Sequence, residues 1–429
     1  MSGVILFYLV VTTVMGYSLY RIYQQHYFSF HLLFSVLYFV TFFLGFPFSL
    51  LLSWGFGHSL PDSLNIVVTL STAFASYLGY LCCYQLLSYF NKRKLSQPIQ
   101  QNAFAKRHAN LTACSLFLIA LVSLILFIYL NQGLLFFKLE KYSQLFSTSV
   151  NAIPLKRFFY FFIPALLIWF FLSPSKKQWG LFFTLGLGFG GLSYLATGGT
   201  RANMAIAFLL FVVVGFYYRY LTLKWIVLFG FGAIGVMSIL AFARYNLNLQ
   251  GVEVLHTLLY LTRDTFSPWQ NLSQILSSDI DFLGIMPIIR DFYVYIPTSL
   301  WQDRPDIVWN SANYFTKVIL GNQSGLAISP TLLGSFYIMG GYVAIIIGMA
   351  VVATIIWLFD SLFKQGSDHQ NAIVQAYCLA NIFNLMVLVR EGLDAFVSRF
   401  VFFSIVFLGC YTIAVLIVRV ANRDKKNDE

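Results

Sequence analysis

The sequence predicts an all-α polytopic membrane protein, one transmembrane domain of about eleven helices (roughly ten to twelve) over residues 1–429. Two observations carry this. The mean hydropathy is +0.75, with 59% hydrophobic and 10% charged residues, a composition that can satisfy its backbone only within lipid-embedded helices or a closed barrel. The apolar runs are long and unbroken, whereas a barrel would alternate over segments of about ten residues. Most of the 46 Phe, 26 Tyr and 8 Trp are accounted for by lipid-facing and interfacial packing.

With about 20 apolar residues needed per crossing, spans fall near 3–20, 29–53, 65–90, 109–130, 157–173, 181–197, 203–218, 225–243, 331–359, 372–389 and 400–418. The pair 181–197 and 203–218 is short and joined by a tight Gly198-Gly199-Thr200 turn. The first span follows no basic leader, so Val4–Tyr20 reads as a crossing and not a cleavable signal. Cys82, Cys83, Cys114, Cys378 and Cys410 lie within spans at spacings that suit neither a disulfide nor a metal.

Orientation follows the basic residues. Asn91–His108 carries Lys92, Arg93, Lys94, Lys106 and Arg107 without an acid, which marks it cytoplasmic. Alternation then places the N-terminus outside and the tail from Arg419 inside. On this map the cytoplasmic segments hold a net charge of +10 and the exterior ones +1, together the +11 of the chain. The positive charge thus records topology and gives no reason to expect nucleic acid. Two exterior loops are long, Asn131–Lys156 and Arg244–Pro330. The second is too rich in Leu, Ile, Tyr and Trp for a disordered tether, and short interfacial helices are expected at 252–264 and 306–320.

Cation choice differs between the faces: exterior segments use four Lys and eight Arg, although the orientation rule asks for no exterior arginine. Guanidinium binds phosphate oxygens bidentately and stays charged when partly desolvated, so Arg201, Arg263, Arg290, Arg304, Arg390 and Arg399 are candidates for anion binding. The plain alternative is local pairing, which Arg263-Asp264, Arg290-Asp291, Asp303-Arg304 and Arg390-Glu391 all permit. Arg201 follows Thr197-Gly198-Gly199-Thr200, a turn that lets a ligand approach the backbone and the start of the next helix. It could equally be an interfacial arginine beside a hairpin. Glu253, His256, Tyr260 and Arg263 or Asp264 share one face if 252–264 is helical. A histidine there could deprotonate an acceptor hydroxyl, unless the face is simply the wet side of an amphipathic helix.

The span Ile288–Gly341 crowds Arg, Asp, Trp, Tyr, Asn and Pro into an otherwise apolar chain. Tyr293, Tyr295, Trp301, Trp309 and Tyr314 could stack on sugars, with Asp291, Asp303, Asp306 and Asn313 bonding hydroxyls, or could form an interfacial belt. No P-loop, zinc-protease motif, nucleotide-sugar DxD or serine elbow is present, so no cofactor and no metal are expected.

The stretch YIPTSLWQDRPDIVWNSANYFTKVILGNQSGLAISPTLLGS, beginning at Tyr295, resembles the large periplasmic loop of the Wzy-type polymerase family of enterobacterial common antigen. Chain length, the T-G-G-T-R turn and the loop placement agree with it. The resemblance implies a multi-pass protein of the Gram-negative inner membrane, similar in fold to the multi-span (GT-C-like) glycosyltransferases that use lipid-linked donors. It implies polymerisation, at the periplasmic face, of trisaccharide repeats carried on undecaprenyl diphosphate. Partners would be the lipid-linked glycan donor and acceptor, the bilayer, and a chain-length regulator and flippase of the same pathway. An O-antigen ligase acting on lipid A-core, or a lipid-linked oligosaccharide flippase, are the alternatives. A flippase is expected to carry ionisable residues along its spans, and these spans are nearly free of them. The R-x10-G motif of some O-antigen polymerases occurs only at Arg219, predicted cytoplasmic, so no motif arginine can be carried over.

Overall fold

A computed structural model of the chain describes residues 2–25, 27–90, 103–138, 150, 153–199, 202–222, 224–225, 228, 232, 235, 251–296, 301, 309–323 and 327–427. Among these, regular structure is helical and contains no strand. The helices are α1 (Ser2–Gln25), α2 (Phe30–Phe56), α3 (Ser63–Phe90), α4 (Ala103–Leu130), α5 (Phe162–Leu172), α6 (Lys176–Ala196), α7 (Ala202–Tyr217), α8 (Val252–Phe266), α9 (Trp269–Leu276), α10 (Met286–Asp291), α11 (Ser311–Tyr314), α12 (Thr331–Asp368), α13 (Ala372–Ala380), α14 (Ile382–Glu391) and α15 (Leu393–Asn427). Nine of the described helical segments are long and apolar enough to cross a membrane: α1 to α6, α12, the α13–α14 pair and α15. The chain is therefore a multi-pass membrane protein. Of the two remaining expected spans, 203–218 is the shorter apolar helix α7, and 225–243 lies almost wholly outside the described residues.

The chain forms two compact units. The first comprises Met1–Lys94, Leu249–Ser361 and Phe383–Phe402. Its spans are interrupted where the expectation was continuous helix, and each interruption is satisfied by another segment. In α2 a π turn at Val40–Leu44 loosens the backbone. Ser267 Oγ accepts from Gly45 N at 2.7 Å and donates to Thr41 O at 2.8 Å. A Cβ on Gly45 would sit 2.5 Å from Ser267 O, so glycine is the residue that lets the two strands of backbone meet. Next in sequence, Trp269 is fully buried, edge-on to Phe46 at 5.5 Å, and its Nε1 donates to Ser49 Oγ at 3.0 Å. These contacts fasten the α8–α9 segment to α2.

The second interruption is in α12, where Gly340 and Gly341 leave helical geometry and Gly341 adopts φ +63°. The freed carbonyls of Ile338 and Met339 accept from Leu283 N at 3.0 Å and Gly284 N at 2.9 Å. Non-helical backbone at membrane depth persists only where protein satisfies it, and residues 283–284 do that here. At the start of α2, Asp360 accepts from Phe30 N at 2.6 Å and His31 N at 3.0 Å, and from the Tyr84 hydroxyl at 2.8 Å. That carboxylate takes two of the amides a helix start leaves without intrahelical partners.

The second unit comprises Leu95–Asn248, Leu362–Ile382 and Phe403–Glu429. Helices α6 and α7 form a close hairpin: a Cβ on Gly190 would lie 2.8 Å from Met204 Cα, the small-residue approach that replaces hydrophobic driving force in lipid. Trp179 stacks on Phe211 at 4.2 Å and donates from Nε1 to Phe211 O at 3.0 Å. The connecting turn has Gly198 at φ +67° and Gly199 at φ +104°, left-handed backbone as the glycine pair requires.

Candidate functional site

Within the first unit, helix forms at Val252–Phe266 (α8) where 252–264 was expected helical, and, for the expected 306–320, as α11 continued by a π turn to Ile319, residues 306–308 lying outside the described residues. They build two polar assemblies of different character.

The first joins α10, α11, α12 and the start of α15. Asp291 accepts from Asn310 Nδ2 at 2.7 Å and from the Ser398 hydroxyl. Asp394, only 1% exposed, accepts from Ser311 N at 2.7 Å and Ser335 Oγ at 3.3 Å. Ser311 and Ser335 hydroxyls lie 3.3 Å apart. Gly392 makes this possible: it turns the chain between α14 and α15 at φ +116°, and a Cβ there would meet Ser335 Cβ at 2.4 Å. Asp291, expected beside Arg290 to bond sugar hydroxyls, is buried and accepts from Asn310 and Ser398, contacts that tie α10 to α15. Tyr314 joins the same wall. Burial, and then the Asp281 carboxylate, push its hydroxyl above the ordinary value, and it donates to Asp281 O at 3.4 Å.

Around this closed core stand groups with spare capacity. Arg290 is half-buried and Arg390 exposed, and neither has an ion-pair partner among the described residues. The local pairing that Arg390-Glu391 permitted does not form; Glu391 instead pairs with Arg399, Nη2 to Oε2 at 2.7 Å. The Ser329 hydroxyl donates to Arg390 O, tying the chain just before α12 to the end of α14. Trp301 packs edge-on to Tyr293 at 5.0 Å, Tyr295 stacks on Phe402 at 5.1 Å, and Trp309 is 38% exposed. Asn313 lies one turn after Asn310, whose Oδ1 accepts from its amide at 2.9 Å.

The second assembly is a stack on α8. Its members are Phe56, His58, His256, Tyr260 and Arg263. His256 meets Phe56 edge-on at 4.7 Å and faces His58 across their ring edges, the two rings 18° from parallel with centroids 5.0 Å apart. The Nε2 atoms of the two histidines are 2.7 Å apart. Tyr260 lies 6.0 Å from His58 and 6.2 Å from His256, and the Arg263 guanidinium sits 4.9 Å over its ring. The helical face read from the sequence thus exists, but the partner of His256 is a second imidazole and not Glu253. His58, 198 residues away in the chain, was not singled out from the sequence. A lone histidine after Gly57 carries no periodic signal.

Asp303, Arg304, Asp306 and Arg201 lie outside the described residues, as does the side chain of Asp264. Among the described residues no three His, Cys, Asp or Glu converge as metal ligands. No solved structure matches the chain. The model of the WzyE protein family, an O-antigen assembly polymerase, matches residues 1–425, and with that match extending over the whole membrane bundle and both polar assemblies, the chain belongs to this polymerase family.

Proposed function

We propose that the protein polymerises the trisaccharide repeats of enterobacterial common antigen, carried on undecaprenyl diphosphate, at the periplasmic face of the inner membrane. The full-length family match supports polymerisation, and the wording of Tyr295–Ser335 supports this antigen. In support of this reading, Arg290 and Arg390, without an ion-pair partner among the described residues, lie in the first unit together with part-exposed aromatics and the imidazole pair. In this reading Arg290, Arg263, Arg201 and Arg304 bind diphosphate oxygens, the role to which a planar charged fork is suited. Arg390, Arg399, Trp301, Trp309, Asn313, Asp303 and Asp306 line the glycans, with Asp264 beside Arg263.

The reaction needs an acceptor hydroxyl, a base and a leaving diphosphate. The hydroxyl oxygen bonds to the anomeric carbon of the donor, the carbon–oxygen bond to diphosphate breaks, and undecaprenyl diphosphate leaves with the electron pair. His256 takes the hydroxyl proton, since it is half-exposed with one ring nitrogen still open, whereas Asp291 and Asp394 are buried and already accept hydrogen bonds from neighbouring groups. No metal or cofactor is required. The test is purified full-length protein incubated with synthetic undecaprenyl-diphosphate trisaccharide. A ladder of products spaced by one repeat is expected, and intact substrate after prolonged incubation overturns the reading. Transfer to lipid A-core without a ladder would make it a ligase.

A further inference from the structure

We propose that His58 is the second imidazole of a proton relay serving His256, an inference that rests on His256 being the base. A hydrogen bond between two imidazole Nε2 atoms needs one N–H and one lone pair. At 2.7 Å, with the rings 18° from parallel, the pair therefore shares a single proton between these atoms. If His256 Nε2 is the donor, its Nδ1 is left with a free lone pair to accept from substrate.

The placement of His58 is built in. Gly57 at φ +68° turns the chain off α2, with Gly57 N donating to Ser53 O at 3.1 Å and His58 N to Leu52 O at 3.3 Å, a left-handed helix cap. His256 is fixed from the other side by the anchoring of Ser267 and Trp269 to α2. The stretch of α2 packed against α8, from Val40 to Gly57, has no ionisable side chain. The other ionisable groups nearby in sequence are Glu253, Tyr260, Arg263 and Asp264 on α8, and Asp62 in the loop that carries His58.

In the step itself, the acceptor hydroxyl proton passes to His256 Nδ1 as its oxygen bonds to the anomeric carbon. The His256 Nε2 proton moves to His58 Nε2, and His58 releases its Nδ1 proton to water. Both rings end neutral, one proton has left, and the diphosphate carries away the electron pair. A base that discharges within the transition state never accumulates imidazolium beside the substrate. His58 is thus a positioning and relay residue, acting through His256.

The test is single-turnover polymerisation by full-length protein in mixtures of H2O and D2O. Wild type should give a bowed dependence on deuterium fraction, as more than one proton in flight requires; a linear dependence overturns the relay. His58→Gln keeps an amide able to hydrogen-bond His256 Nε2 but cannot pass a proton on. Its rate should fall at least tenfold, the dependence should become linear, and the melting temperature should hold. Wild-type rate in His58→Gln would mean that His58 only orients the ring. If His58→Gln folds poorly, His58→Ala with added imidazole decides: restored rate supports the relay and no restoration overturns it. Full activity in His256→Gln would remove the base assignment itself, a failure separate from that of the relay.

Discussion

The carboxylate cluster of Asp291 and Asp394 and the imidazole pair of His58 and His256 are both built where the 251–323 segment meets long apolar helices, yet they are finished differently. In the cluster both carboxylates are buried, and their oxygens already accept from Asn310, Ser398, Ser311 and Ser335. In the stack both histidines are half-exposed, share one hydrogen bond and keep a ring nitrogen each for something else. Buried polar groups are tolerated when fully paired, and a fully paired group has little left to offer a substrate. On the proposed reading the buried, paired carboxylates are therefore scaffold, and the half-exposed histidines carry the chemistry.

The comparison breaks most visibly at Asp394. Replacing it by Ala leaves Ser311 N without its partner in a dry site, a cost of roughly 1–3 kcal/mol, and leaves Ser335 Oγ with the Ser311 hydroxyl alone. Asp394→Ala should melt well below wild type and lose activity in parallel; a normal melt with lost activity would move Asp394 from scaffold to chemistry. Gly392→Ala should do nearly as much harm, since it forces a left-handed residue and a collision with Ser335, strain on the order of 1–3 kcal/mol. Thermal melts in detergent read both.

Arg290→Ala sharpens the other side. With no ion pair to break among the described residues, the variant should melt like wild type while its product ladder falls more than tenfold, the scale of one lost charge-assisted bond of about 1.5–3 kcal/mol. A lowered melt with activity recovered on cooling would make Arg290 structural. Ser267→Ala loses the two hydrogen bonds at the π turn and should lower stability by about 1 kcal/mol, with hydrogen exchange rising first at Gly45. Smallest of all is Arg399→Gln. Its partner Glu391 is partly solvated, and such pairs are worth about 0.2–1 kcal/mol, so a large drop in melting temperature would show that the pair is more enclosed than its exposure indicates.

Much of the architecture was legible in residue order. Apolar runs placed most of the described spans to within a few residues, since a crossing must be long and continuous in composition, while the helices read at 331–359 and 400–418 run on to Asp368 and start at Leu393. The T-G-G turn announced itself because only glycine takes such backbone at no cost, and the amphipathic period of 252–264 marked α8. What the order of residues concealed were the interruptions. The π turn in α2 and the break at Gly340–Gly341 occur inside runs that read as unbroken helix, and they exist because Ser267, Leu283 and Gly284 arrive from elsewhere to satisfy the freed backbone.

The candidate site divides in the same way. Adjacent residues suggested Arg290–Asp291 and Arg390–Glu391 pairs, yet Asp291 turned to Asn310 and Ser398, and Glu391 to Arg399. On a helix, neighbours in sequence point apart, while residues three or four positions on, or on another element, face one another. His58 and His256 are the extreme case, brought to 2.7 Å across 198 residues. Composition by itself determined that this chain lives in a membrane, because transfer free energy sums over residues whatever their partners. Which polar groups are closed into scaffold and which stand open for chemistry was decided by tertiary structure alone, because hydrogen bonds are directional and short, and only folding sets who is within reach.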